Sequence, residues 1–109
     1  MLTEQPILIT SIVAGEAIPK NRFIDFSGSL ESEGNKPLGV SNADTNINNM
    51  LPVCVQGIAL VLTSAAIVKG TAVQSMSDGY AGPQSTGIIA GYAMDEATGA
   101  DQLIRVLLS

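Results

Sequence analysis

Hydrophobic and polar residues alternate along much of this chain, as they do in a β-strand that buries one face. Two segments show the alternation most clearly, LPVCVQG at 51–57 and LIRVLL at 103–108. Four shorter apolar runs, each bounded by Gly, Pro, Asn, Asp or Ser, fit further strands at 7–13, 22–26, 72–76 and 87–94. The pattern predicts an all-β fold, either a small barrel or a sandwich.

Helical periodicity is weak throughout the sequence. The segments 64–69 and 95–99 could each form one helical turn, and nothing longer is expected. Polar, turn-rich segments predict three surface loops, at 27–36, 41–49 and 77–86. The second loop is rich in asparagine, a residue that hydrogen-bonds its own backbone and tolerates left-handed conformations.

The most informative feature is an internal repeat. The segment IVAGEAI at 12–18 returns as IVKGTAV at 67–73, so that Gly15 is matched by Gly70. Downstream, Gly39 is matched by Gly91, and a strand-like segment follows each of them. Two half-units of about fifty residues, neither able to bury its apolar face alone, would pair into one core.

The length of 109 residues fits one domain. We expect residues 12–109 to form a single β domain made of two pseudo-repeated halves. Residues 1–11 would then be an N-terminal arm or a first strand. Because aromatic residues make up only 4% of the chain, the core must be built from valine, isoleucine, leucine and alanine.

The charge balance is acidic, with ten acidic residues against five basic ones and a net charge of −5. The cations are scattered, so the chain lacks the basic patch that nucleic-acid binding requires. The longest apolar stretch is interrupted by Thr63 and Ser64 and is too short to span a membrane. The N-terminal segment carries Glu4 and lacks the basic region of a signal peptide. We therefore expect a soluble protein, made in a cytoplasm, with neither nucleic acid nor membrane as partner.

The residue types that carry most enzyme chemistry are absent or isolated. The sequence contains no histidine, which removes the commonest general base and the commonest metal ligand. Cys54 is the single cysteine and is expected to be a small buried side chain in its strand. The acidic residues lack the spacing of a calcium loop, and no glycine-rich segment matches a phosphate-binding loop. The sequence therefore predicts no catalytic residue, no cofactor and no metal site.

The C-terminal part of the chain carries a resemblance to a known family. The segment Gly87–Leu108 (GIIAGYAMDEATGADQLIRVLL) combines a Gly-x-Ala strand, a short acidic turn containing Gly99, and a closing apolar strand. The earlier segment IVKGTAV likewise places a glycine between apolar residues and is followed by a turn, at Asp78-Gly79. These segments resemble the small capsid cement (head decoration) proteins of tailed bacteriophages.

This resemblance implies a compact β-barrel or sandwich that binds the outside of an assembled head. The implied partner is the major capsid protein, and members of such families often sit as homotrimers at the three-fold positions of the shell. The protein would stabilise the mature capsid from the exterior of the virion, after synthesis in the cytoplasm of the host bacterium.

The N-terminal arm is the segment that we expect to contact the capsid or a neighbouring subunit. Its candidate contact residues are Thr3, Glu4, Gln5, Pro6 and Ile7. Such an arm could add a strand to an exposed sheet edge of its partner. The alternative is that 7–13 is merely the first core strand.

Two other functions stay open on the sequence alone. The chain could be another structural part of a virion, such as a fibre, tail or shell subunit. It could also be a small β module that binds a ligand or a carbohydrate, although such sites usually offer aromatic platforms. The aromatic residues are Phe23, Phe26, Tyr80 and Tyr92, and Tyr80 is the one whose replacement would test this function.

Overall fold

The computed structural model describes residues 3–109, and these form an almost entirely β structure. The single helical element in this part of the chain is a 3₁₀ turn at Ser77–Gly79. The strands are β1 (Gln5–Val13), β2 (Phe23–Ile24), β3 (Gly39–Ser41), β4 (Met50–Leu62), β5 (Ala72–Ser75), β6 (Ala81–Pro83), β7 (Gly91–Ala93) and β8 (Leu103–Leu108).

All eight strands belong to one sheet, and every strand pair is antiparallel. The strands follow the order β2-β3-β4-β8-β7-β5-β6, and β1 pairs with β4. A parallel bridge joins Thr63, just after β4, to Ala81 of β6. It brings together the first and last strands of the series β4-β8-β7-β5-β6. The sheet is therefore a nearly closed barrel, and the predicted all-β fold is confirmed.

The long strand β4 connects the two halves of the sheet. Its first part pairs with β1, and its last part, from Ile58 to Leu62, pairs with β8. Ile58 lies opposite Gln5 of β1 and also opposite Leu107 of β8. Because one residue has two cross-strand partners, β1 and β8 must lie on opposite edges of β4.

The two halves of the chain repeat one pattern of strand pairing. Ile12 lies opposite Leu51 in the first half, as Val61 lies opposite Ile104 in the second. We call the first part of each half, residues 9–24 and 58–73, its outgoing arm, and the last part, residues 39–57 and 91–108, its returning arm. On the outgoing arm Ile12 therefore corresponds to Val61, and on the returning arm Leu51 corresponds to Ile104. We call residues 9–57 the first repeat and residues 58–108 the second repeat.

Gly39 and Gly91, the second pair of glycines matched in the sequence, occupy equivalent places. Gly39 lies opposite Ile24 in the first repeat, and Gly91 lies opposite Val73 in the second. The predicted match of Gly39 with Gly91 is therefore the one seen in the structure.

The match predicted for the other arm, of 12–18 with 67–73, is wrong. The structure gives Ile18 and Ile67 the same role, because each makes two backbone hydrogen bonds to a residue on the returning arm of its repeat. The segment 12–18 therefore corresponds to 61–67, and its likeness to 67–73 is a coincidence of small apolar residues.

Several predicted elements also differ in detail. The expected helical turns at 64–69 and 95–99 are absent, because Ile67 and Ala97 instead bridge these segments by reciprocal backbone hydrogen bonds of 2.9 Å. The expected loop 77–86 contains both the 3₁₀ turn and β6.

The core consists of two clusters of buried apolar side chains. The smaller cluster belongs to the first repeat and contains Ala14, Ile18, Ile24, Leu51 and Val53. The larger cluster fills the second repeat, but it also takes in Phe23, Val40 and Cys54 from the first. The predicted burial of Cys54 is thus confirmed, and the two repeats are joined by shared core packing as well as by β4.

Candidate interaction surfaces

Strand β1 is an exposed apolar edge strand. The consecutive residues Ile7, Leu8 and Ile9 are 79%, 49% and 41% exposed. A strand with one buried face would hide at least one of them, since successive side chains point to opposite faces. Within residues 3–109, β1 pairs with β4 alone, so its second edge has no strand partner. Long apolar edge strands of this kind are templates for pairing with another chain.

The five predicted contact residues lie together at the start of this strand. Thr3 and Glu4 precede β1, and the other three belong to it. The Glu4 carboxylate lies 3.9 Å from the Lys20 ammonium group. Because β1 is paired with β4 of its own chain, the predicted arm is docked on the domain from Gln5 onward. Residues 1–2 of the arm lie outside the described residues.

The start of β1 is fitted closely to a glycine of β4. Gly57 has a φ of +105°, and a Cβ placed there would lie 2.5 Å from the Gln5 carbonyl oxygen and 2.7 Å from the Ile7 amide nitrogen. The pairing is irregular at this point, with shifts on both sides of Leu8. β-bulges bend an edge strand and turn side chains in new directions, which accounts for the exposure of three consecutive apolar residues.

A second apolar surface lies on the outer face of the second repeat. Ala72, Tyr92, Leu107 and Ile58 lie opposite one another in four adjacent strands and therefore share one face of the sheet. We call these four residues the exposed row. Tyr92 and Leu107, at its centre, are 45% and 48% exposed.

An ion pair stands beside the exposed row on β8. The guanidinium of Arg105 donates to both carboxylate oxygens of Asp95, at 3.0 and 2.8 Å, and the Arg105 amide donates to the same carboxylate. These side-chain hydrogen bonds lower the pKa of Asp95 from its ordinary value of 3.8 to about 2. The charge of Asp95 neutralises that of Arg105, so the pair adds no net charge to this outer face.

Replacing Asp95 by asparagine is expected to lower stability at neutral pH and to have little effect below about pH 2. The folded-state pKa lies below the unfolded value, so the pair adds stability above about pH 4 and loses it as the pH falls towards 2. Denaturation midpoints of the wild type and Asp95→Asn should therefore converge across that interval. Glu33→Gln, at an exposed loop position, is the control, and a constant Asp95→Asn deficit at all pH values would contradict the assignment.

The aromatic side chains do not form a ligand platform. The Arg22 guanidinium lies 4.0 Å from the centre of the Tyr80 ring and donates to its hydroxyl oxygen. Phe23 is completely buried. A shallow depression elsewhere on the surface is lined without any aromatic residue, by Ala17, Ile18, Pro19, Asp44, Thr45 and Asn46. The Tyr80 ring face beneath Arg22 is already occupied, which weighs against the carbohydrate-binding alternative.

The described residues also bring no reactive groups together. Burial raises the pKa of the Cys54 thiol, with a smaller contribution from the charge of Glu4, so the reactive thiolate is disfavoured. Across residues 3–109, no three acidic or cysteine side chains converge in a way that could hold a metal ion. The same residues contain no helix with the length and apolar character needed to cross a membrane.

The fold and its candidate sites are those of an all-β structural module that presents apolar strands. The family model described as phage cement protein matches residues 3–108, and the chain belongs to that family. The resemblance noted in the sequence is therefore confirmed, and the protein is a structural component of phage virions.

Among solved structures, the chain is similar to the head fiber gp8.5 N base in bacteriophage phi29. The TM-score is 0.79 and the sequence identity is 20%, over 94% of this chain and 93% of that one. At this identity the likeness concerns the fold. No curated protein matches the sequence.

Proposed function

We propose that this protein binds the outer surface of the mature phage capsid and stabilises it as a cement protein, without enzymatic activity. It would act as a homotrimer at three-fold positions, with the major capsid protein as its partner. In this proposal the chain is synthesised in the host cytoplasm and joins the head from outside.

The observation that carries the proposal is the character of β1. An unpaired strand edge with Ile7, Leu8 and Ile9 exposed is unfavourable in free solution and becomes favourable when a partner covers it. We assign this strand and the preceding residues, Thr3 and Glu4, to the contact with the capsid. A partner strand added along the free edge would supply backbone hydrogen bonds, and its side chains would cover the apolar residues.

Stabilisation would follow from linkage. A protein that binds the mature lattice and not the disrupted one stabilises the mature state by about 2.7 kcal/mol per site at a hundredfold excess over Kd. Many sites on each head add their contributions. Three-fold symmetry in the protein would let one type of patch serve three neighbouring coat subunits.

Replacing Ile7 by lysine is expected to weaken binding to undecorated, expanded heads by about tenfold or more, since a charge would enter an apolar contact. Binding is measured by co-sedimentation of purified protein with such heads. Val68→Lys is the matched control, because Val68 is 70% exposed against 79% for Ile7 and lies outside the arm.

A variant lacking residues 1–4 separates the arm from the strand, because it leaves β1 whole. If Ile7→Lys and this truncation both bind heads like the wild type, the assignment of the arm and β1 to the capsid contact is refuted. Failure of the wild type itself to bind heads would refute the cement function.

The second candidate is a fibre or other attached part of the head, which the similarity to a head fiber base favours. The two functions differ in their behaviour without a capsid. A cement protein binds bare heads and stays small in solution, whereas a fibre subunit polymerises alone. Electron micrographs of the purified protein with and without heads distinguish them.

A further inference from the structure

The repeat places two equivalent rows of side chains on the outer faces of the two halves. In the first repeat, Phe23, Val40 and Cys54 lie opposite one another on β2, β3 and β4. We call these three residues the buried row. The same pairings in the second repeat connect Ala72, Tyr92 and Leu107, the core of the exposed row. Phe23 corresponds to Ala72, Val40 to Tyr92, and Cys54 to Leu107.

The buried row is covered by the second repeat. Its members are at most 2% exposed, and they pack into the larger core cluster with residues such as Val61 and Val73. Backbone hydrogen bonds accompany this packing, from the Leu62 amide to the Asn21 carbonyl and from the Gly79 amide to the Glu31 carbonyl. The outer face of one repeat is therefore a surface that a following repeat covers.

The exposed row has no such cover in residues 3–109. Tyr92 and Leu107 are 45% and 48% exposed, where their counterparts Val40 and Cys54 are buried. The corner before the row is equivalent as well, since Asn21 and Gly70 both have positive φ, at 68° and 86°. The Asn21 carbonyl accepts a hydrogen bond from the Leu62 amide of the second repeat, whereas Gly70 is exposed.

The first repeat has the complementary deficiency in its core. Ile12 corresponds to Val61, which is completely buried, yet Ile12 itself is only partly buried. Leu38 corresponds to Ala90, because each donates its amide to the equivalent carbonyl on the outgoing arm, and Leu38 is likewise only partly buried. The three side chains of the buried row fill the equivalent place in the core of the second repeat. Within residues 3–109, no side chains of another repeat fill this place in the first repeat.

We infer that the exposed row of one copy packs against the first repeat of a second copy, on the side where Ile12 and Leu38 are only partly buried. The two copies would pack in the way that the two repeats pack within one chain. The partner is a second copy of this chain, because the contact between the two repeats within one chain already shows that surfaces of these two kinds fit together. This inference names the self-association surface of the proposed function and rests on the trimer in that proposal.

The contact is head-to-tail, since two different surfaces meet. Such contacts close into a ring when the rotation between copies permits and otherwise extend into a filament. A ring of three chains would place six repeats in succession around one axis. Ile12, in the self-association contact, belongs to β1, whose exposed residues Ile7, Leu8 and Ile9 are assigned to the capsid contact. The two contacts therefore share this strand but use different side chains along it.

The test is the self-association of the full chain, measured by sedimentation velocity over a range of concentrations. Leu107→Asp and Tyr92→Asp are expected to weaken association about tenfold or more, because each places a carboxylate in an apolar contact. The matched control is Ile88→Asp, whose isoleucine is 55% exposed and lies outside the row. Circular dichroism and the thermal midpoint confirm that each variant is folded, and two row variants guard against a fold defect in either one.

The direction of the contact is tested by mixing. A tagged Leu107→Asp chain keeps an intact first repeat, so it should still capture untagged wild type, whereas a contact made of two identical surfaces would lose most of this capture. The inference is overturned if both row variants associate like the wild type. It is also overturned if the wild type stays monomeric up to about 1 mM, a limit that corresponds to about 4 kcal/mol of association free energy.

These outcomes are distinct from failure of the cement function. Row variants that bind heads as monomers leave capsid binding intact and support the assignment of the row to self-association. Row variants that stay oligomeric while the wild type binds heads overturn the inference alone.

Discussion

Replacing Phe23 by alanine is expected to destabilise the protein by about 3–5 kcal/mol, the usual cost of removing a buried aromatic side chain. Phe23 is completely buried and is the largest of the fully buried side chains. It lies in the first repeat but packs in the core of the second, so the cavity would open where the two halves meet. Since domains of this kind have about 5–15 kcal/mol of stability in total, the variant should lose about a fifth of that stability or more.

Phe26→Ala is the matched control for this prediction. It removes the same type of side chain from the next turn of the chain, at a position that is 71% exposed, and should change stability by no more than about 0.5 kcal/mol. The measurement is the urea denaturation midpoint of both variants against the wild type. Equal midpoints for the two variants would show that Phe23 does not hold the repeats together.

The fold class could be predicted because alternation is a local property of the sequence. The segment 103–108 carries the alternation of a half-buried strand, and it forms β8. The strand predicted at 51–57 is really 50–62, because the apolar run after Gly57 continues the same strand with a new partner. Pairing with a distant strand is a tertiary event, so the local pattern could not show where β4 ends.

The ends of the short strands could not be predicted, for the same reason. The predicted strand 87–94 shrinks to Gly91–Ala93, since the residues before it form an irregular segment held by a buried side chain. The Gln74 side-chain oxygen accepts hydrogen bonds from the amides of Ser85 and Gly87, at 3.0 and 2.9 Å. Such a bond across the fold leaves no periodic trace in the sequence.

The repeat was visible in the sequence through its glycines and obscured on its other arm. Glycine is required where backbones approach closely, so Gly39 and Gly91 keep their identity. The core positions accept any apolar residue of suitable size, and Ile12 is replaced by Val61 at the equivalent place. A match between apolar residues is therefore weak evidence of register, and the likeness of 12–18 to 67–73 hides the structural match of 12–18 to 61–67.

The candidate surfaces were predictable only in part. The sequence predicts the arm at Thr3 to Ile7, whereas its exposure on an edge strand is a property of the fold. The exposed row could not be found from the sequence, because Tyr92 and Leu107 have the same polarity as core residues. Their exposure is a property of the fold, because no part of residues 3–109 covers them.

Alanine in place of Gly39 or Gly91 is expected to destabilise the protein by about 1–3 kcal/mol at each position, the range for forcing extra atoms into a packed core. A Cβ at Gly91 would lie 2.5 Å from the Leu107 carbonyl oxygen and 2.7 Å from a Val106 methyl group. A Cβ at Gly39 would meet the equivalent atoms, the Cys54 carbonyl oxygen and a Val53 methyl group. The obstacle is backbone in both repeats and cannot move aside without breaking the pairing of β3 or β7.

Gly99→Ala is the control, because no atom lies within 4 Å of a Cβ at that position. It should leave stability unchanged or raise it by about 0.4–1 kcal/mol, since alanine restricts the unfolded chain. Chemical denaturation of the three variants should therefore give two losses of similar size and one small gain or none. The two losses should add in the double variant, because the glycines share no contacting residue and lie in different repeats. A loss at one glycine with no loss at the other would show that the two repeats are not equivalent at these positions.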